Sequence, residues 1–228
     1  SARGAPLAIV FLCFNAAMEQ RRKQARAAGK FSVDYNDALE LEGQTNFTGY
    51  EHLSGNGKVV GLFKEGKVVE SLQAGDFGIV VLDEIPFYAE SGGQVGDSGV
   101  LTADGCVFAI TDCTKQSKNH LHHGELQCGV IKLGDSLLCE VDADRRQKIA
   151  VNHSATHLLH EALRRVLGSH VLQKGSLNDP DRLRFDFSHF EGVSADEMRL
   201  VETIVNAQIR LNTSIDTEVM DIEAAKAK

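Results

Sequence analysis

The sequence predicts an α+β protein in three parts. An N-terminal helix with its linker occupies residues 1–46, a small antiparallel β-barrel 47–142, and an α+β unit of helix, strand, helix and strand 143–228. Three observations predict this division. A stretch rich in Ala, Arg, Gln and Lys opens the chain's first helical pattern. Short apolar runs separated by glycine-bearing turns fill the middle. From Asp144 onward apolar residues recur at helical spacing.

The first helix is read in "FNAAMEQRRKQARAAGK", which has no proline and reaches glycine only at Gly29, its predicted stop. The barrel is read in "KVVGLF", "KVVESL", "FGIVVLD", "GVL", "CVFAITDC", "GVI" and "SLLCEVD". Between them lie "SGNG", "KEGK", "QAGD", "SGGQVGDSG", "TADG" and "KLGD". Strands at such spacing with Gly and Asp turns fit a small antiparallel barrel.

The third part opens with a helix capped by Asp144, with Gln147 three residues on, and stopped at Gly168. "LRFDFSHF" alternates apolar and polar residues and reads as a strand. "SADEMRLVETIVNAQIRL" is a second helix, opened by the capping box Ser194-x-x-Glu197. "SIDTEVMDI" is a closing strand.

Composition excludes several classes of function. No window holds the 18 or more apolar residues of a membrane span, so no membrane partner is expected. The net charge of −8 argues against a generally basic nucleic-acid binder. Residues 50–142 hold six lysines, no arginine and fourteen acidic residues, which carry the whole imbalance. Positive charge gathers only in "RRKQARAAGK" (21–30) and "DRRQK" (144–148), so any polyanion contact is expected to be weak and local. Five cysteines without a CxxC spacing read as reduced, mostly buried thiols.

The helix of the third part carries His153 and His157, one turn apart, in "NHSATHLLHEALRRVLG". Its apolar stripe is Ala155, Leu158, Leu159, Ala162, Leu163 and Val166, and His153, His157 and His160 lie on roughly the opposite face. Two imidazoles at i and i+4 can face one zinc ion, although a solvated polar face has the same spacing. Ser154 stands where a zinc protease has glutamate, which disfavours that activity.

Together, "FYAESGGQVGDSGVL", "NHSATHLLHEALRRVLGSHVLQKGS" and "LRFDFSHF" resemble the editing region of bacterial alanyl-tRNA synthetases, shared with free-standing trans-editing deacylases. A related zinc domain occurs in threonyl-tRNA synthetase. The resemblance runs from about Asn15 to Lys228, and the first fourteen residues depart from it.

The resemblance implies hydrolysis of Ser-tRNA(Ala) and Gly-tRNA(Ala) at the 3′-terminal adenosine, in a cytoplasmic protein that attaches alanine to tRNA(Ala). The partner is the tRNA(Ala) acceptor end. Serine exceeds alanine by one hydroxyl, which a small apolar pocket rejects poorly; a second, hydrolytic sieve is the physical remedy. Thr156, Gln173 and Ser176 are the polar groups that the resemblance places in this pocket, with Gly92 and Gly93 beside the acylated end. Read alone, Thr156 is equally a helix-surface residue, Gln173 and Ser176 turn residues before a strand, and the glycines a hairpin turn.

His153 and His157 match the first half of a family zinc site, whose Cys-x-x-x-His half is expected beyond Lys228. The expectation is therefore a half-site that holds zinc weakly, with little deacylase activity in this chain. The ATP- and Mg-using ligase core and the oligomerisation part are expected outside it. A non-catalytic tRNA-binding fragment and a free-standing deacylase are the alternatives.

Overall fold

The computed structural model describes residues 43–214, 218, 220, 221, 223 and 224. The predicted N-terminal helix and the basic stretch 21–30 lie outside the described residues, and so does most of the predicted closing strand at 214–222.

The middle of the chain is a closed six-stranded antiparallel barrel. Its strands are β2 (Ser54–Lys64), β5 (Phe77–Leu82), β7 (Gly99–Ala103), β8 (Cys106–Gln116), β9 (Asn119–Cys128) and β11 (Ser136–Val141). They follow the order β11-β7-β8-β9-β5-β2, and β11 pairs with β2 to close the ring. Closure leaves these strands no open edge to cap. Short ladders trim the rim: β1 (Asn46–Phe47) with β6 (Glu84–Ile85), β3 (Lys67–Val68) with β2, and β4 (Ser71–Gln73) with β10 (Val130–Lys132). Phe87, Phe108, Leu62, Leu82, Leu101, Leu126 and Leu137 fill the interior.

Strand β9 has no counterpart in the sequence reading. "NHLHHGELQC" lacks an apolar run, yet it lies between β5 and β8. The barrel tolerates it because its imidazoles have partners. His122 is wholly buried, with Nδ1 2.8 Å from the Val80 carbonyl oxygen. His120 Nδ1 lies 3.3 Å from the Phe87 carbonyl oxygen, and His123 Nε2 2.7 Å from the Thr114 hydroxyl. Burial pushes all three pKa values down, that of His122 to about 4.

Four of the cysteines fall among the described residues and are free. Cys106, Cys113 and Cys139 are buried, and Cys128 is exposed. Burial raises the three buried thiols, Cys139 to about 12, which leaves them protonated and inert.

After the barrel comes helix α1 (Ala143–Leu167), then β12 (Gln173–Asn178), β13 (Leu183–Phe187) and helix α2 (Ala195–Leu211). The N-cap of α1 is Asp142, whose carboxylate accepts from Arg145 N, rather than Asp144. Gly168 ends the helix, and the Ser194–Glu197 capping box opens α2, both as the sequence predicts. Leu159, Ala162, Leu163 and Val166 of α1 pack with Val201, Ile204 and Val205 of α2 and with Phe185 and Phe187.

Strand β12 is a correction to the sequence reading. Gln173 and Ser176 are not turn residues; they pair with Phe187 and Phe185 across an antiparallel ladder. "QKGSLN" carries one leucine and a glycine, too little apolar character to announce a strand.

Arg146 fastens α1 to the barrel. Its guanidinium is ion-paired to the carboxylate of Asp97, whose side chain is 1% exposed, and it donates to the Gly49 and Pro86 carbonyl oxygens at 2.9 and 3.0 Å. Arg145 Nη1 donates to the Gly96 carbonyl oxygen at 2.8 Å. Much of the second basic stretch is thus spent inside the fold and is not offered to a polyanion.

Candidate functional site

The motif "ESGGQVGDSG" folds as a tight turn. Ser91 and Gln94 exchange backbone hydrogen bonds of 3.1 and 3.0 Å, with φ +60° at Gly92 and +82° at Gly93. Two consecutive positive φ values define a type I′ turn, which glycine adopts without strain.

This turn is docked onto β12. Asn178 N donates to the Gly93 carbonyl oxygen at 2.7 Å, and Val95 N to that of Asn178 at 3.1 Å. The contact is close: a Cβ on Gly93 would overlap the Ser176 hydroxyl and lie 2.7 Å from the Ser176 carbonyl oxygen. At Gly92 a Cβ would meet nothing within 4 Å. The two glycines therefore serve different ends, Gly92 the turn and Gly93 the approach to β12 as well.

Docking brings the residues singled out in the sequence together. The Ser176 hydroxyl lies 3.4 Å from the Gly92 carbonyl oxygen, and Gln173 Nε2 donates to Ser176 Oγ at 3.1 Å. Next to Gly93, Gln94 turns its side-chain carbonyl toward α1 and accepts the Nδ1–H of His153 at 2.8 Å. Asn178, bridged to Gln94 along the backbone, places Oδ1 2.6 Å from the Thr156 hydroxyl. One helical turn of α1 is thus held by two neighbouring amide side chains.

Thr156 is no surface residue. It is 3% exposed, one of the four buried positions of α1. His153 and His157 stack with ring centroids 5.1 Å apart, His153 partly buried and His157 exposed. His160 packs on Phe185 at 5.1 Å, with Nε2 buried and unpartnered among the described residues, so it does not share the open face expected of it.

A zinc ion is the group that the histidine spacing suggests. Burial lowers the His153 pKa, with a further push from His157, and favours the neutral imidazole that a metal requires. Because Nδ1–H is committed to Gln94, Nε2 is the nitrogen left with a free lone pair. The pair fits two of the four positions of a zinc shell. Among the described residues no group of three or more His, Cys, Asp or Glu could hold a metal ion.

Gln94 and Asn178 were missed in the sequence. Gln94 sits inside the glycine motif, whose backbone drew the attention. Asn178 ends a strand that carried no pattern. Their signal is positional: each follows or opposes a glycine that lets the backbone come close.

Residues 6–145 match the family model described as tRNA synthetases class II (A). Over 215 residues, 94% of this chain, the sequence is 52% identical to an alanine–tRNA ligase of Saccharophagus degradans. It is 55% and 52% identical over the same share to the alanine–tRNA ligases of Shewanella amazonensis and Shewanella loihica. The chain spans about a quarter of the length of each of these relatives, 25%.

Proposed function

This chain belongs to the class II (A) tRNA synthetase family, and from that premise we propose that it is the editing region of an alanine–tRNA ligase. It hydrolyses the ester of Ser-tRNA(Ala) and Gly-tRNA(Ala), protecting a cytoplasmic enzyme that charges tRNA(Ala) with alanine at the expense of ATP.

The observation that carries this reading is the docked glycine turn. It joins Gly93, Ser176, Asn178, Thr156, Gln94 and His153 into one contiguous polar set on the inner turn of α1. Such a set suits a small polar side chain on an acyl group, which a purely apolar sieve cannot separate from alanine.

In this reading Thr156 meets the acyl side chain, and Gln173 and Ser176 flank the ester. The open, positive-φ backbone at Gly92 leaves room for the terminal ribose, since no side chain projects there. His153 and His157 would hold zinc, which when bound polarises the ester or a nearby water. Gln94 fixes the His153 ring, and Asn178, held by the glycine turn, meets the Thr156 hydroxyl.

A non-catalytic tRNA-binding role fits less well. Arg146 and Arg145 donate inward, and the chain carries a net charge of −8. A free-standing deacylase fits less well too, because the relatives above are ligases.

The test is release of labelled serine from Ser-tRNA(Ala) by the protein expressed from its complete gene, with Ala-tRNA(Ala) as control. Thr156→Val should lower serine release roughly tenfold. Equal hydrolysis of the seryl and alanyl esters would sink the editing reading.

A further inference from the structure

Asn178 is wholly buried, and its Oδ1 lies 2.6 Å from the Thr156 hydroxyl. That hydroxyl has one proton to give and two oxygens in reach, Asn178 Oδ1 and the Asn152 carbonyl at 3.0 Å. The Asn152 carbonyl, inside α1, already accepts a helical N–H from one turn on. The shorter contact takes the proton, so Thr156 donates to Asn178.

Two consequences follow from this proton count. Thr156 is left with oxygen lone pairs and can only accept from a ligand. The other end of the same amide, Asn178 Nδ2, is buried with no hydrogen-bond partner among the described residues. A buried donor left alone costs about 1–3 kcal/mol, which favours a water or a ligand atom accepting from it.

An acceptor on Thr156 beside a donor on Asn178 is the complement of a hydroxyl, which gives one proton and receives another. Resting on the editing reading above, we propose that Asn178 is a specificity-determining residue that, with Thr156, binds the side-chain hydroxyl of the seryl ester. Its N–H donates to the seryl oxygen, and the seryl proton goes to Thr156 Oγ1. An alanyl methyl group satisfies neither atom and must displace whatever else does. A glycyl ester puts nothing there, so its hydrolysis does not draw on Asn178.

The backbone supports this assignment. Asn178 N and O are both bonded to the glycine turn, at Gly93 and Val95, so the amide is aimed from a fixed point.

The experiment uses the two proposed substrates as controls for each other. Asn178→Val removes donor and acceptor, and Asn178→Asp keeps an acceptor for Thr156 while removing the N–H. Deacylation of Ser-tRNA(Ala) and Gly-tRNA(Ala) is measured for each variant of the protein expressed from its complete gene. The expected result is a roughly tenfold fall for the seryl ester with the glycyl ester within twofold of the parent. Parallel loss of both esters in the valine variant would point to a structural role, and the aspartate variant then decides. A seryl-to-glycyl ratio unchanged in both variants overturns the proposal, because Nδ2 then serves only an internal water or the fold. If the parent protein hydrolyses neither ester, the editing reading itself fails and the proposal with it.

Discussion

The side-chain carbonyl of Gln94 accepts the Nδ1–H of His153 at 2.8 Å, across 59 residues of sequence. A ring nitrogen so occupied fixes both the tautomer and the tilt of the imidazole, and it does so before any ion arrives. Partners of this kind are worth about 10–100-fold in metal affinity at established sites. If His153 and His157 hold zinc as proposed, Gln94→Leu should weaken zinc binding by about that factor, and Gln94→Glu should not. Competition against a chromophoric chelator measures it. Equal affinity in the leucine variant and the parent would remove Gln94 from the site.

A second prediction concerns the Arg146–Asp97 pair. Side-chain exposures of 14% and 1% mean that neither charge is screened by solvent once the other is gone. Arg146 also satisfies the Gly49 and Pro86 carbonyl oxygens, so its loss orphans several groups together. Arg146→Met should therefore cost about 3–5 kcal/mol in urea unfolding. A loss below about 1 kcal/mol would show that the contact is made in geometry but not in energy.

These two contacts show where sequence reading succeeds and where it stops. The barrel was legible because each run of Val, Ile, Leu or Phe is bounded by glycine or aspartate, a local pattern. The second helix was legible for the same reason, since Ser194 and Glu197 cap it within four residues. Strand β9 and strand β12 were not legible. Their burial rests on partners elsewhere in the chain, Val80 for His122 and Thr156 for Asn178, and not on their own apolar content. The candidate site divides in the same way. Spacing and resemblance singled out His153, His157, Thr156, Gln173, Ser176 and the glycine pair. The amides of Gln94 and Asn178 became visible only once the glycine turn was seen docked on β12.

The barrel should lose stability in mild acid. His122 donates Nδ1–H to Val80 and turns Nε2 into a site with no partner among the described residues, so protonation there would bury an unpaired charge. Its pKa falls from 6.5 in the unfolded chain to about 4 in the fold. Between those values the unfolded chain binds a proton that the native chain refuses, and stability declines as pH drops from about 6.5 to about 4. The full effect is about 3 kcal/mol, at 1.36 kcal/mol per pKa unit. His120 and His123 shift in the same direction and add to it. Urea unfolding at a series of pH values should show the decline, and His122→Gln should flatten part of it. An identical slope in parent and variant would shift the cause to other groups.

The last prediction separates the two glycines of the docked turn. Both have positive φ, so alanine at either position should cost about 1–2 kcal/mol of backbone strain. At Gly92 that is all, because the added Cβ meets nothing within 4 Å. At Gly93 the Cβ runs into the hydroxyl and carbonyl of Ser176, and relief requires the turn to lift from β12. Lifting it breaks the Asn178 N to Gly93 O bond and moves the backbone that carries Gln94. Gly93→Ala should therefore lose a further 1–3 kcal/mol or so, typical of overpacking. Because Gln94 and Asn178 hold His153 and Thr156, the same substitution should depress Ser-tRNA(Ala) hydrolysis far more than Gly92→Ala does. Thermal unfolding and deacylation of the two variants, measured side by side, check both halves. Equal damage at the two positions would mean that only the turn matters, and that the approach of Gly93 to Ser176 does not hold the site together.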